Sequence, residues 1–236
     1  MFDSERSQRR IGRIAWVMAW FGLVMGQFHA MARHQTEDGK SDLDSSLTSA
    51  WSDPGRRLFA PLLEWGTPDT VYITYGKLWL PVFVAFTLCA FVVRRRRSPV
   101  GVEKWAWRLA LTGYVAACVG VGADYWTQWG AVDDGLLSLT FLVTIPALIL
   151  TITGSTFLGI VLLRRGAPRL PAWLLVAAVP GLFVISAVTS LGSVVLPIAF
   201  AFGILGRRIA REHTTYAVAA VTPSDAGAQP ARSQPR

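Results

Sequence analysis

Apolar runs of helical length alternate with short charged segments along this chain. The runs cover 14–31, 78–93, 105–126, 136–163 and 170–205. Each of the first four is long enough, or nearly so, for the ~20 residues that a helix needs to cross a ~30 Å hydrocarbon core. The last is different. It has 36 residues without a single charge, and as one helix it would be about 54 Å long at 1.5 Å per residue. Two shorter helices with a tight turn near Thr189, Ser190, Leu191 and Gly192 solve the length problem. The pattern therefore predicts an all-α integral membrane bundle of six transmembrane helices.

Charge orients the bundle. Net charge is +2 over 1–13, +4 over 94–104, +3 over 164–171 and +3 over 207–236, against −4 over 34–76 and −2 over 127–135. In the six-span order all the basic segments fall on one side. Arginine and lysine mark the cytoplasmic side of short loops, so both termini are expected to be cytoplasmic in a multi-pass protein of the cell membrane. The domain expectation follows: a six-span membrane domain over 1–211 with an extracytoplasmic loop at 34–76, then a disordered cytoplasmic tail at 212–236. The start also resembles a signal peptide, with Arg9, Arg10 and Arg13 before a short apolar run and Ala30, Met31 and Ala32 after it. Trp16, Trp20 and the Gly22–Gly26 pair favour a packed helix that is kept.

Composition agrees. Hydrophobic residues make up 52% of the 236, and charged ones only 16%, where soluble domains carry roughly 25%. The net charge of +8 sits in clusters beside the apolar runs, which argues for orientation and against nucleic acid. Trp51, Trp65, Trp79, Trp105, Trp107, Trp126, Trp129 and Trp173 lie at run ends, where an amphipathic ring suits the headgroup layer. Cys89 and Cys118 have no CxxC or CxxH neighbours and are expected to pack as small apolar residues.

Small residues supply the close approaches that helices in lipid need: Gly22 and Gly26 in the first span, Gly113, Ala116, Ala117, Gly120 and Gly122 in the third, and Ser155 and Gly159 in the fourth. Contact within one bundle and a homodimer face are the two readings. Pro146, Pro180 and Pro197 interrupt the last three spans, and Thr151, Thr153, Ser155 and Thr156 can bond back to helix carbonyls. In the 34–76 loop, residues 36–53 read as mobile and 57–65 (RLFAPLLEW) as a short amphipathic piece on the outer leaflet.

The chemistry is mostly exclusion. Spans two, four, five and six hold no acidic, basic or histidine residue. There is no HExxH, no phosphate-binding GxxxxGK[ST] loop and no intramembrane histidine pair to bracket a haem. No catalytic residue, cofactor or metal site is expected. His29, Asp124, Asp133 and Asp134 are the candidates for an outward-facing polar site. Asp124 is expected to stay hydrated at the interface beside Trp126, with no role in proton coupling, and Asp133 and Asp134 to cap the fourth span. His29, His34, Glu37 and Asp38 are metal-ligand types but read as solvated polar residues.

The stretch GIVLLRRGAPRLPAWLLVAAVPG at 159–181, with a basic Gly/Pro turn between two apolar runs, resembles the uncharacterised multi-span membrane proteins of high-GC actinobacteria. The resemblance covers about 136–211 and implies no activity. The leading expectation is a non-enzymatic membrane protein acting through membrane lipids or through a protein partner or homodimer. The alternatives are a transporter or facilitator of an apolar or neutral small molecule, and an outward-facing enzyme acting on lipid or envelope substrates.

Overall fold

The computed structural model describes residues 4–129, 134–189 and 191–221. These are helical throughout apart from turns. Among the described residues five helices are long and apolar enough to cross a membrane: Glu5–Arg33, Pro68–Arg97, Val102–Trp126, Ser138–Arg164 and Ser193–Arg211. A sixth apolar element, Arg169–Val176 plus Ala178–Ser186, is bent by 58° at its centre.

The first helix, α1 (Glu5–Arg33), starts at Ser4, whose hydroxyl accepts from Ser7 N at 3.2 Å. Helix α2 (Ser46–Leu58) and the short α3 (Ala60–Leu63) follow in the loop. Next come α4 (Pro68–Lys77) and α5 (Trp79–Arg97), which together form one span. Its start at Pro68 corrects the expected 78–93 run and takes 68–77 out of the loop. Pro at the first position and the Thr67 cap on Thr70 N fix that start. A turn through Ser98 and Gly101, both at positive φ, leads into α6 (Val102–Trp126). Helices α7 (Asp134–Arg164), α8 (Arg169–Val176), α9 (Ala178–Ser186) and α10 (Leu196–Val221) complete the order. Helix α10 continues ten residues past the boundary expected at 211, so this part of the tail is helical. Residues 222–236 lie outside the described ones.

Helix α1 packs against α10 and α5, α6 runs along α7, and α8 fits between α7 and α10. Glycines set the closest approaches. Gly12 and Gly206 face each other where α1 crosses α10, and a Cβ on either would meet the other's backbone. Gly113 lies against the α7 backbone, and Gly154 against Ala110. Gly22 and Gly26 face Val82 and Trp79, so this pair serves contact inside the bundle. The core joins Phe86, Trp107, Tyr114, Phe202 and Ile198, while Leu142, Phe183 and Val184 stay more than 60% exposed on the outside. Large apolar side chains facing outward suit a bundle surrounded by lipid.

One expectation fails on packing. Trp79 and Trp107 are buried in the core, not placed at an interface. Residues 40–58 are mostly helical, because α2 has a surface to rest on. Its Trp51 donates to the Val188 carbonyl at 2.7 Å and Thr48 to the Ala187 carbonyl at 3.3 Å, just beyond α9. From 57 to 65, Leu58, Leu62 and Trp65 are exposed while Leu63 is buried.

Candidate functional site

At the end of the bundle away from the arginine clusters, α1, α4, α5, α6 and α7 enclose a cavity of about 360 Å³. Two helix faces bring its polar groups inward. On α1, Gly22, Gly26, His29 and Arg33 recur at steps of four, three and four. On α6, Gly113, Ala117, Gly120 and Asp124 repeat the same steps. Such spacing is one face of a helix. The small residues seat that face against neighbouring helices, so the polar residues at its end are carried into the interior.

His29 is 1% exposed, and among the described residues neither ring nitrogen has a partner. Its ring stacks on Tyr72 with centroids 4.8 Å apart and meets Tyr125 edge-on at 5.5 Å and Trp79 at 6.4 Å. Gly76 makes room for this cluster, because a Cβ there would run into the Tyr125 ring. The Tyr72 and Tyr125 hydroxyls are 3.3 Å apart. Arg33 reaches into the same space but is engaged, with Nε donating to Asp42 Oδ2 at 2.8 Å.

Asp124 corrects its expectation. It is 7% exposed and lines a cavity rather than the outer surface, and Thr144 on α7 donates to its Oδ1 at 2.9 Å. Among the described residues no cation forms an ion pair with it. Below these polar groups the walls are Phe83, Val121, Ile145 and Leu148. Ser186 and Thr189, at the end of α9, close one side. A second cavity of about 340 Å³ shares Arg33, Tyr72, Asp124 and Tyr125 and adds Glu37, Asp38 and Asp69. Together they form a vestibule and a chamber.

His29 and Asp124, two of the sequence candidates, thus line one chamber. Asp134 begins α7, and Asp133 lies outside the described residues. His34 is not solvated either. It is buried against α2, with Nδ1 2.8 Å from Ser52 Oγ. Burial pushes its pKa down, Asp42 works against this, and Arg56 and Arg33 add to it. Among the described residues no three His, Cys, Asp or Glu side chains gather to hold a metal ion. Sequence reasoning missed Arg33, Tyr72, Trp79 and Tyr125. The four-three-four stripe was the signal for Arg33. The tyrosines had none, since aromatic residues near span ends read as interface markers.

An imidazole, a carboxylate and two phenols above an apolar floor can hold the polar head of a molecule and enclose its apolar body. Compared with protein-family models, with curated protein sequences and with solved structures, the chain matches none.

Proposed function

We propose that this chain is a six-span protein of the cell membrane with both termini cytoplasmic, and that it acts by binding a lipid-like amphiphile in a chamber opening outward. The carrying observation is the chamber itself. It holds the fully buried, unpartnered imidazole of His29 directly above apolar walls. Buried polar atoms without partners are costly, and a ligand's polar head can satisfy them. The arginine-rich segments support the topology, and the bonds from Trp51 and Thr48 to 187–188 support α8 and α9 together as one crossing. That bonding puts the far end of α9 beside the loop that follows α1.

The test is extraction from native membrane into polymer discs, followed by mass spectrometry of bound lipids. A small amphiphile should co-purify in near-equal amount with the protein and be lost in Ala117→Phe, which fills the chamber. An identical lipid profile in both proteins would count against the reading.

A second reading is a facilitator that passes such a molecule through the bundle. It is favoured by the bent α8–α9 element flanking the chamber, since broken helices line moving parts in transporters. Efflux from loaded liposomes, lost in Ala117→Phe, would support it over binding alone.

A further inference from the structure

We propose that the chamber is selective for a cationic head, so that its ligand is an amphiphile bearing a protonated amine. The inference rests on the binding reading above and adds the charge of the ligand. Its first support is the unmatched carboxylate. Among the described residues Asp124 receives a hydrogen bond from Thr144 and forms no ion pair, while Arg33, the cation in the chamber lining, is held by Asp42. With these side chains ionised the chamber carries a net formal charge of −1 from Arg33, Asp42 and Asp124. A charge buried without its opposite is costly, and an entering ammonium supplies that opposite.

The second support is independent of the carboxylate. His29 lines the chamber with both nitrogens unpartnered. A neutral imidazole offers one acceptor and one donor nitrogen; an ammonium N–H is the donor that the acceptor needs, and a ligand without a basic head group has no charged donor to give it. The tyrosine rings add weight, because their faces and hydroxyl oxygens favour a cation over an anion. The third support is the way in. The vestibule adds Glu37, Asp38 and Asp69 to Asp124, against Arg33 alone. A cleft lined by one sign of charge raises the local concentration of the opposite ion, so anions are turned away before the chamber is reached.

The test uses three probes of one shape: 1-adamantylamine, 1-adamantanol and 1-adamantanecarboxylate. Each is titrated calorimetrically at neutral pH into the full chain in phosphatidylcholine nanodiscs, with empty nanodiscs as blank. The amine should bind at least ten-fold more tightly than the alcohol, and the carboxylate more weakly than either. Asp124→Asn keeps the shape and the Thr144 contact, and should cut the preference for the amine over the alcohol by at least half. The ranking on the unaltered protein stands even if this variant folds poorly. Equal binding of amine and alcohol, or a preference for the carboxylate, would overturn the cationic inference and leave the binding reading in place, and an amine preference undiminished in folded Asp124→Asn would overturn the part assigned to Asp124. No binding by any of the three would overturn both.

Discussion

Trp126 donates its indole N–H to the Lys77 carbonyl at 3.2 Å, and that carbonyl is the acceptor four residues before Pro81. In a regular helix the N–H of residue 81 would fill this role, but proline has none. A side chain from α6 therefore stands in for a missing backbone donor at the α4–α5 junction. The two helices are tied where the span would otherwise be open. Trp126→Phe should lower stability by about 1 kcal/mol, the worth of one hydrogen bond. The cost should shrink in a Pro81→Ala background, which restores the donor. Thermal unfolding of the four proteins of this cycle checks it, and equal costs in both backgrounds would show that the bond is unimportant.

The bend between α8 and α9 has the same cause and a different repair. Pro180 leaves the Val176 carbonyl without its helical donor. Thr156 Oγ1 on α7 lies 3.4 Å from the carbonyl oxygens of both Val176 and Leu175, and the Val179 N–H donates to Thr156 Oγ1 at 3.3 Å. Thr156→Val keeps the volume and removes the hydroxyl. It should destabilise by about 1–2 kcal/mol and raise amide exchange at 176–179 while leaving α1 and α10 unchanged. Uniform protection across the chain would refute the local role.

Gly12 and Gly122 make a matched pair. A Cβ at Gly12 would meet the backbone of Gly206, whereas one at Gly122 would meet nothing within 4 Å. Gly12→Ala should force α1 and α10 apart and cost more than about 2 kcal/mol. Gly122→Ala should be neutral or gain up to about 1 kcal/mol from helix propensity. Comparable melting temperatures for the two variants would contradict the crossing.

Burial lowers the pKa of His34 below the ordinary histidine value, so the unfolded chain takes up the proton first as pH falls. Stability from this group is therefore whole above about pH 6.5 and declines as pH falls toward the folded value. Melting temperatures measured from about pH 7.5 to 5.5 should fall, and His34→Asn should flatten that slope. An unchanged slope would exclude His34 as the source.

Topology is open to single-cysteine labelling in a background lacking Cys89 and Cys118. A probe at Ser45 should react in intact cells, and one at Ser98 only after lysis. The reverse pattern would invert the protein. Replacing Arg94, Arg95, Arg96 and Arg97 by serine should give mixed orientation.

The spans were legible because lipid removes ambiguity: a run of apolar residues has only one use there. What escaped depends on neighbours. Residues 68–77, PDTVYITYGK, hold enough polar groups to look like loop, and they join the span because Tyr72 and Gly76 fit against Tyr125 and His29. The α2 segment carries Pro54 and Gly55 amid serines, and its order rests on the backbone beyond α9. His29 and Asp124 stood out as rare ionisable residues in apolar runs. Their meeting did not, because it depends on the rotation of α1 and α6 about their own axes. The four-three-four stripe records that rotation in small residues, and both polar residues extend it.

The attachment of α2 beyond α9 is written on one strand of the contact only. Trp51 and Thr48 supply the side chains, while Ala187 and Val188 supply nothing but main-chain oxygen. Positions 187 and 188 are thus free to drift in identity without loosening the joint, whereas 48 and 51 are not. Among related chains the fastening should be visible as constraint in a polar loop and as indifference in the apolar segment that it fastens, the opposite of what hydropathy alone would lead one to look for.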